Sequence, residues 1–335
     1  MKKILVITSI AKPNQCLKFI ANKSFKNNVE VIIIGDKKSP KKFSLKNSSF
    51  FSLKQQKKLK FKFSNKCPIN SYSRKNIGYL IAMKRGANVI YDTDDDNKPM
   101  HNFFNYKKKT KVLTIGKSKW INIYSLFSND MIWPRGFPLD EIKRNKGYKK
   151  LKKKVTCPIN QRLVDNDPDV DSIYRLIKKI PISFNKKEDI ALEKYSWCPF
   201  NSQNTVWDKE AFSLMYLPSY TTFRMSDIWR SLIAQRICWE NNWRILFSKS
   251  TALQLRNNHN LMNDFKDEIP GYLQNKNIVD YLGQLKLRKG VKNINKNLLK
   301  CYQFLNKKNL IDNRELELVR NWLSDIEKIQ SYQKV

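Results

Sequence analysis

Apolar residues in the first third of the chain alternate between continuous runs and helical spacing. Residues 4–8 and 29–34 are unbroken runs rich in Val and Ile, which is typical of strands buried on both faces. Between them, the apolar positions of residues 15–23 suit a short helix that covers the strands. This order of strand, helix and strand predicts parallel pairing through right-handed crossovers.

A third predicted strand leads directly into a cluster of acidic residues. Residues 73–86 predict a helix, with Ser73 as its N-cap and Gly86 at its C-terminal end. Residues 88–91 predict the strand that follows. The next residues carry four carboxylates, Asp92, Asp94, Asp95 and Asp96. Ligands of open α/β sheets bind beyond the carboxyl ends of the strands, so this cluster lies where the predicted fold places its chemistry.

The end of the chain is predicted to be helical. Residues 227–241 carry an apolar stripe at helical spacing. Residues 312–330 carry another stripe and begin with a capping-box-like Asp-x-x-Glu sequence. We expect an α/β domain over residues 1–270, built on a mixed but mostly parallel sheet flanked by helices, and a helical extension over residues 271–335.

The net charge of +36 is the most unusual feature of the composition. It invites a nucleic-acid-binding interpretation. However, the lysines are spread along the whole chain with abundant asparagine, a pairing that an AT-rich genome produces, and arginine, the better reader of bases, is much scarcer. Nucleic acid is therefore not expected as the main partner. A weak, salt-sensitive attraction to anionic membrane surfaces is an equally acceptable interpretation of the charge.

Cysteine and histidine usage limits the metal sites. The six cysteines form no CxxC pair, which disfavours structural zinc and indicates a reducing compartment, and two histidines are too few for a multi-histidine site. No apolar run approaches the roughly 20 residues that cross a bilayer. The apolar residues after Met1 are interpreted as a first strand, because no small-residue cleavage site follows them. We expect a cytoplasmic protein, free or peripheral at the inner face of the membrane.

Asp94 and Asp96 are the predicted metal ligands. In an extended or turn conformation their side chains point to one side. Two carboxylates placed in this way can hold Mn²⁺ or Mg²⁺ and leave coordination positions for diphosphate oxygens. The ion would neutralise the charge that builds on a nucleoside-diphosphate leaving group. Asp95 is able to replace either ligand, and a solvated acidic turn is the structural alternative.

Other nucleotide and metal motifs are absent from the sequence. Only nine glycines occur, in neither a GxGxxG nor a GxxxxGK[ST] arrangement, which disfavours Rossmann dehydrogenases and P-loop enzymes. An EF-hand starting at Asp92 would need Gly and Glu where the chain has Asn97 and Phe103. Binding a nucleoside diphosphate through a metal, without a glycine loop, is the glycosyltransferase-A solution.

Eight sequence blocks follow one another over roughly residues 1–270, among them Trp-Pro-Arg-Gly and Pro-Phe-Asn-Ser-Gln-Asn-Thr. They are residues 50–56, 73–80, 90–95, 133–136, 167–172, 199–205, 226–230 and 235–236. These blocks and their order resemble the STELLO glycosyltransferase family. Gly78 and Tyr79 followed by the acidic run are also similar, more distantly, to reversibly glycosylated polypeptides and UDP-arabinopyranose mutases. The resemblance implies a glycosyltransferase-A-like fold and a nucleotide-sugar substrate.

Ten residues are assigned to nucleotide-sugar binding from their places in these elements and blocks. They are Asp36, Arg74, Lys75, Asp95, Arg135, Asp169, Asp171, Asn201, Arg230 and Arg236. For several of them, a purely structural role is an alternative to ligand binding. Asp36 also suits a turn, Arg74 and Lys75 also suit a solvent-exposed helix start, and Arg135 suits either a phosphate clamp or a pair with an aspartate.

The later assigned residues keep alternatives of the same kind. Asp169 and Asp171 suit contacts with sugar hydroxyls, although Asp171 also suits a helix cap. Arg230 and Arg236 suit contacts with the diphosphate or pairs with acidic residues of the protein.

These observations predict a metal-dependent glycosyltransferase that transfers a sugar from a UDP- or GDP-sugar to a glycan or other hydroxyl acceptor. Asp227 is the candidate general base or acceptor-orienting acid, with a plain N-cap as the alternative. His259 is assigned as a further metal ligand, because a late histidine has this role in glycosyltransferase-A enzymes. A nucleotide-sugar-binding or scaffold protein without turnover and a sugar-nucleotide mutase are alternatives, and a basic nucleic-acid-binding protein is less favoured.

Overall fold

A mixed sheet occupies the centre of the computed structural model, which describes residues 1–144, 147–178, 180–185, 188–255 and 260–333. Its strands in these residues are β1 (Lys3–Thr8), β2 (Val29–Ile34), β3 (Ser49–Phe51), β4 (Val89–Thr93), β5 (Asn97–Pro99), β6 (Lys109–Gly116), β7 (Lys149–Asp165), β8 (Ile190–Leu192), β9 (Asn204–Asp208) and β10 (Trp243–Gln254). Their order across the sheet is β3-β2-β1-β4-β9-β7-β6-β8-β10-β5.

Helices pack on both faces of the sheet and fill the end of the chain. They are α1 (Gln15–Lys26), α2 (Leu53–Lys58), α3 (Lys62–Lys66), α4 (Lys75–Lys84), α5 (Ser172–Ile177), α6 (Ser226–Glu240), α7 (Leu261–Gln284), α8 (Ile294–Lys307) and α9 (Asn313–Tyr332). Within the described ranges, none of these helices combines the length and the apolar character needed to span a bilayer.

The first part of the sheet has the predicted parallel arrangement. β1 lies between β2 and β4 and pairs with both in parallel, and β3 extends this part beyond β2. The strands are continuous apolar runs because α1 covers one face and α4 covers the other. Gly78 allows α4 to approach β1 closely, since a Cβ atom at this position would lie 2.5 Å from Val6 Cγ1.

The rest of the sheet corrects the prediction of mostly parallel strands. Five of the ten strand pairings in the described residues are antiparallel. β9 is antiparallel to both of its neighbours, β4 and β7. The 17-residue β7 pairs with β6 through its first half and with β9 and β10 through its second half. The protein is therefore a mixed α/β fold whose parallel part is limited to the first hundred residues and the β7–β10 and β6–β8 pairs.

The structure changes two predicted helix caps. Ser73 lies in a 3₁₀ turn, and α4 begins after Arg74 without a side-chain cap. Asp312 caps α9 as predicted, but Glu315 does not complete a capping box. Instead, Glu315 is buried and accepts hydrogen bonds from the segment 216–220. Hydrogen bonds to a segment distant in the chain therefore replace the predicted capping-box bond of Glu315.

The C-terminal helices pack against the α/β part of the molecule. α9 contacts α3, α4 and α8, and α7 contacts α5 and α6. α7 runs through residue 270, so the helical region begins before the predicted domain boundary. The division of the chain into domains at this residue stays a prediction.

Candidate functional site

A cavity of about 420 Å³ opens beyond the carboxyl ends of β1, β2 and β4. Ser9 follows β1, Asp36 follows β2, and Asp94, Asp95 and Asp96 lie between β4 and β5. Parallel strands bring these positions to one edge of the sheet, where ligands bind in open α/β folds. The acidic cluster thus lies at the edge where the sequence places it.

Each carboxylate of the cluster is held by a different element. The Tyr72 hydroxyl donates to Asp94 Oδ1 at 2.9 Å, and Ser9 Oγ donates to Asp95 Oδ2 at 2.6 Å. Gln254 Nε2 donates to Asp96 Oδ2 at 3.1 Å. The other oxygen of Asp96, Oδ1, is buried and has no hydrogen-bond partner among the described residues. The cluster therefore presents a buried carboxyl oxygen that lacks a hydrogen-bond partner in the described chain.

Crowding and burial make the ionised form of this cluster unfavourable. Burial, together with the charges of Asp94 and Asp95, raises the pKa of Asp96 to about 7. Burial also raises the pKa of Asp94 and of Asp95. A divalent cation would relieve this repulsion, and carboxylate oxygens are the ligands that Mg²⁺ and Mn²⁺ prefer. Among the described residues no third Asp, Glu, His or Cys completes a metal-binding group, so further ligands would come from water or from a bound phosphate.

A buried ion-pair network lies directly behind the cluster. Asp92 forms ion pairs with Lys75 Nζ, at 2.7 Å, and with Arg230 Nη1, at 3.1 Å. Lys75 Nζ also lies 3.2 Å from Asp94 Oδ1. Lys75 and Arg230, which the sequence assigned to nucleotide-sugar contacts, therefore lie in this buried network, and their contact with a nucleotide sugar stays a prediction. They neutralise Asp92 inside the protein and do not line the cavity.

Arg135 joins two carboxylates in the wall of the cavity. Its guanidinium donates to Asp169 at 2.8 and 2.7 Å and to Asp227 at 3.0 Å through each of two nitrogens. Ser202 N also donates to Asp227, at 3.0 Å. Burial alone would raise the pKa of Asp227, but the paired Arg135 lowers it to about 2. A carboxylate with so low a pKa is a weak proton acceptor, so this geometry disfavours a general-base role for Asp227.

Two more of the assigned residues line the cavity as parts of its frame. The backbone N–H groups of Asn70 and Ser71 donate to Asp36 at 2.9 Å each. Arg74 donates to Gln56 Oε1 and to backbone carbonyls, and its side chain is buried. Asp36 thus shapes a loop at the cavity edge, and Arg74 is not the solvent-exposed helix start that was its alternative.

Three assigned residues, Asp171, Asn201 and Arg236, do not line the cavity and are held by contacts within the protein. Asp171 caps α5 and accepts from Trp133 Nε1 at 2.6 Å. Asn201 Oδ1 accepts from Gln161 Nε2 at 3.1 Å within the core. Arg236 donates to backbone carbonyls at the end of α7 and pairs with an acid on its own helix, Glu240. His259 lies outside the described residues.

The comparisons with known proteins point to one glycosyltransferase family. Residues 224–334 match the family model of the STELLO glycosyltransferases. The chain is 30% identical over 234 residues to a protein named probable glycosyltransferase STELLO1 from Arabidopsis thaliana, a match that covers 63% of this chain. The resemblance to the STELLO glycosyltransferase family is confirmed.

A second Arabidopsis thaliana protein, named probable glycosyltransferase STELLO2, is also 30% identical, over 236 residues and 63% of this chain. The matched regions make up 30% of the length of each of these STELLO proteins. A solved structure titled as that of a mycobacterial protein is 9% identical, with a TM-score of 0.38 over 82% of this chain and 74% of that chain.

Several lining residues of this STELLO-like chain were not found from the sequence. Ser9 directly follows β1, and the rule that ligands bind beyond strand ends would have singled it out. Gln254 ends β10, a strand that no clear pattern predicted. Tyr72 packs edge-on against Phe223 with ring centroids 5.4 Å apart, and both line the cavity. Arg224 lies in the turn before α6 and could not be found from local sequence, because its partner Glu268 lies on α7, 44 residues later in the chain.

The raised pKa of Asp96 predicts a distinctive pH dependence for the protein in EDTA. The folded pKa of about 7 lies above the unfolded value, so ionisation of Asp96 destabilises the fold as pH rises. We expect Asp96→Asn to be more stable than wild type, by a margin that grows between pH 5 and 8 to at most about 4 kcal/mol. Urea unfolding at several pH values measures this difference.

Asp140→Asn is the matched control, because Asp140 is an exposed acid that pairs with Lys276 far from the cavity. It should show no gain in stability over this pH range. A constant difference between Asp96→Asn and wild type from pH 5 to 8 would contradict the proposed environment of Asp96.

Proposed function

We propose that this protein is a metal-dependent glycosyltransferase that transfers a sugar from a UDP- or GDP-sugar to a glycan or other hydroxyl acceptor. The observation that carries the proposal is the group of three carboxylates, Asp94 to Asp96, at the carboxyl end of β4 with one buried oxygen unpaired. The two related Arabidopsis proteins, both named probable glycosyltransferases, support it.

The charge of the cavity supports a metal-assisted mode of binding. Among the described residues, six carboxylates and four cationic side chains line it, a formal net charge of 4 − 6 = −2. The carboxylates belong to Asp36, Asp94, Asp95, Asp96, Asp169 and Asp227, and the cations to Lys38, Arg74, Arg135 and Arg224. A diphosphate is itself anionic, so it would be repelled unless a cation binds with it.

In this proposal Asp94 and Asp96 hold Mn²⁺ or Mg²⁺. The ion supplies charge neutralisation for the diphosphate leaving group. Their hydrogen bonds to Tyr72 and Gln254 orient the two carboxylates toward the cavity. Lys75 lies behind Asp94 and reduces the cost of burying several negative charges close together.

In this proposal Arg135 positions the two aspartates with which it is paired. Asp169, Arg135 and Asp227 line the cavity as one ion-paired group, in which Arg135 fixes the two carboxylates as acceptors for hydroxyls of the transferred sugar or its acceptor. Asp227 acts in this proposal by fixing Arg135, rather than by accepting a proton. The parallel part of the sheet, with an acidic turn after β4, is compatible with a glycosyltransferase-A-like organisation.

A thermal-shift screen of nucleotide sugars tests the proposal. We expect one UDP- or GDP-sugar to raise the melting temperature by several degrees with Mn²⁺ present and by much less in EDTA, since a ligand stabilises the state that binds it. The matching nucleoside monophosphate is the control, because it lacks the diphosphate. Stabilisation that is equal in EDTA, or absent for all donors, would overturn the proposal.

Turnover separates an enzyme from a binding protein. Release of the nucleoside diphosphate from the stabilising donor, with Mn²⁺ and an acceptor or water present, supports a glycosyltransferase. Binding with no release across acceptors would favour the nucleotide-sugar-binding alternative. The cytoplasmic location and weak attraction to anionic membranes stay predictions.

A further inference from the structure

A second cavity, of about 550 Å³, lies at the opposite end of β1 from the carboxylate cavity. Lys3 at the start of β1 lines it, together with residues 102 and 104–107 and parts of β7 and β10. Ser9, at the edge of the first cavity, is six residues further along the strand, which is about 20 Å at the rise of a β-strand. The two cavities are therefore separate binding spaces.

The second cavity is basic, in contrast to the first. Its described lining holds four cationic side chains and one carboxylate, a formal net charge of 4 − 1 = +3. The cations belong to Lys3, Lys107, Arg162 and Lys249, and the carboxylate to Asp189. A concave surface with this charge attracts anions directly, without an intervening metal ion.

Arg162 is the central feature of this second cavity. It is 3% exposed, and its guanidinium donates to the backbone carbonyls of Phe103 and Asn105. Among the described residues no carboxylate forms an ion pair with it, and the remaining residues of the chain carry no acidic side chain. Burial lowers the pKa of Arg162 to about 10. Asp189, which lines the same cavity, partly offsets the effect of burial but forms no ion pair with Arg162, so this cation lacks the direct partner that normally compensates its desolvation.

The lysines that line this cavity form no ion pair within the described part of the chain, although the charge of Asp189 acts on Lys249. Lys3 Nζ makes one long hydrogen bond, of 3.4 Å, to the Phe104 carbonyl. Neither Lys107 nor Lys249 forms an ion pair within the described part of the chain, although lysines elsewhere on the surface do. The cavity thus keeps several donors available for an incoming ligand.

We propose that this basic cavity binds a small molecule through one or two phosphoryl groups, without a metal ion. The planar guanidinium of Arg162 suits bidentate contact with phosphate oxygens, and the lysines add point charges around it. The volume is sufficient for a small phosphorylated ligand. This inference goes beyond the proposed transferase activity, which belongs to the carboxylate cavity.

Calorimetric titration with pyrophosphate in EDTA tests the inference. We expect one pyrophosphate to bind, and the double variant Lys107→Gln/Lys249→Gln to weaken binding by about tenfold or more, because two charge-assisted contacts are lost. Asp189→Asn removes the only lining carboxylate and should tighten binding. Both substitutions keep the size of the side chain close to the original and leave Arg162 in place, so the fold is retained.

Two controls separate this site from nonspecific charge and from the carboxylate cavity. Lys296→Gln removes an exposed lysine on α8 and should leave the affinity for pyrophosphate unchanged. The double variant Asp94→Asn/Asp96→Asn should also bind pyrophosphate in EDTA like wild type, whether or not the transferase proposal holds.

Four results would overturn the inference. They are the absence of pyrophosphate binding in EDTA, an equal loss of affinity in Lys296→Gln, a loss confined to the Asp94→Asn/Asp96→Asn variant, and an unchanged affinity in Asp189→Asn. Binding of a long polyanion such as an oligonucleotide, with no binding of pyrophosphate, would also overturn it, because the charge would then serve an extended partner.

Discussion

Replacing Asp94 and Asp96 together by asparagine is expected to lower the rate of sugar transfer about 1000-fold or more, because a metal ion that neutralises the leaving group is worth several kcal/mol in the transition state. Asparagine keeps the size of each side chain and removes the charge that would hold the ion. Stabilisation of the protein by Mn²⁺ with the donor should be lost in the same variant. Release of nucleoside diphosphate and the thermal shift measure the two effects.

The folded state of this double variant should be intact. Lys75 keeps its ion pair with Asp92 at 2.7 Å, and burial makes the charge of Asp96 unfavourable in the absence of metal. The control is Asp140→Asn, which removes an exposed acid and should transfer sugar like wild type. Retention of metal-dependent activity in the double variant would remove the basis of the proposed mechanism.

Replacing Arg135 by leucine is expected to destabilise the protein by about 3–5 kcal/mol, the usual cost of removing one partner of a buried ion pair. Asp169 and Asp227 would be left buried without their main counter-charge. The loss is large compared with the total stability of a typical domain. Urea unfolding followed by circular dichroism measures the change in the free energy of unfolding.

Two variants make this result specific to the buried charges. Arg320→Leu removes an exposed arginine on α9 and should change the stability by less than about 0.5 kcal/mol. Adding Asp169→Asn and Asp227→Asn to Arg135→Leu should recover much of the lost stability, since the unpaired charges are then gone. A loss below about 1 kcal/mol for Arg135→Leu would mean that solvent reaches these carboxylates.

The parallel strands could be predicted because each is a local pattern. β1 and β2 are unbroken apolar runs, and their predicted bounds agree with the structure to within one residue. The strand before the acidic cluster was also predicted, although β4 extends through Thr93. By contrast, β9 and the long β7 were not predicted, because their burial depends on antiparallel neighbours that are distant in the chain.

The site residues also divide into those that a local sequence pattern reveals and those whose role depends on distant partners. The carboxylates after β4 were found because a short acidic run at a strand end is visible in the sequence. Arg230 was assigned to the ligand, whereas it pairs with Asp92, which lies 138 residues earlier in the chain. Asp171 was expected either to contact sugar or to cap a helix, and the structure shows the cap.

The sequence by itself determined the first strands and helices of this protein, the position of its acidic cluster, and its likeness to the STELLO family. These follow from the order of neighbouring residues, which sets local periodicity and chain direction. Only the tertiary structure decided which charged side chains pair with one another and which line a cavity. Arg135 and Asp227 are 92 residues apart in the chain, yet their pairing determines whether Asp227 can accept a proton. Such pairings depend on how distant elements pack, because charge compensation in a protein interior depends on distance in space and not along the chain.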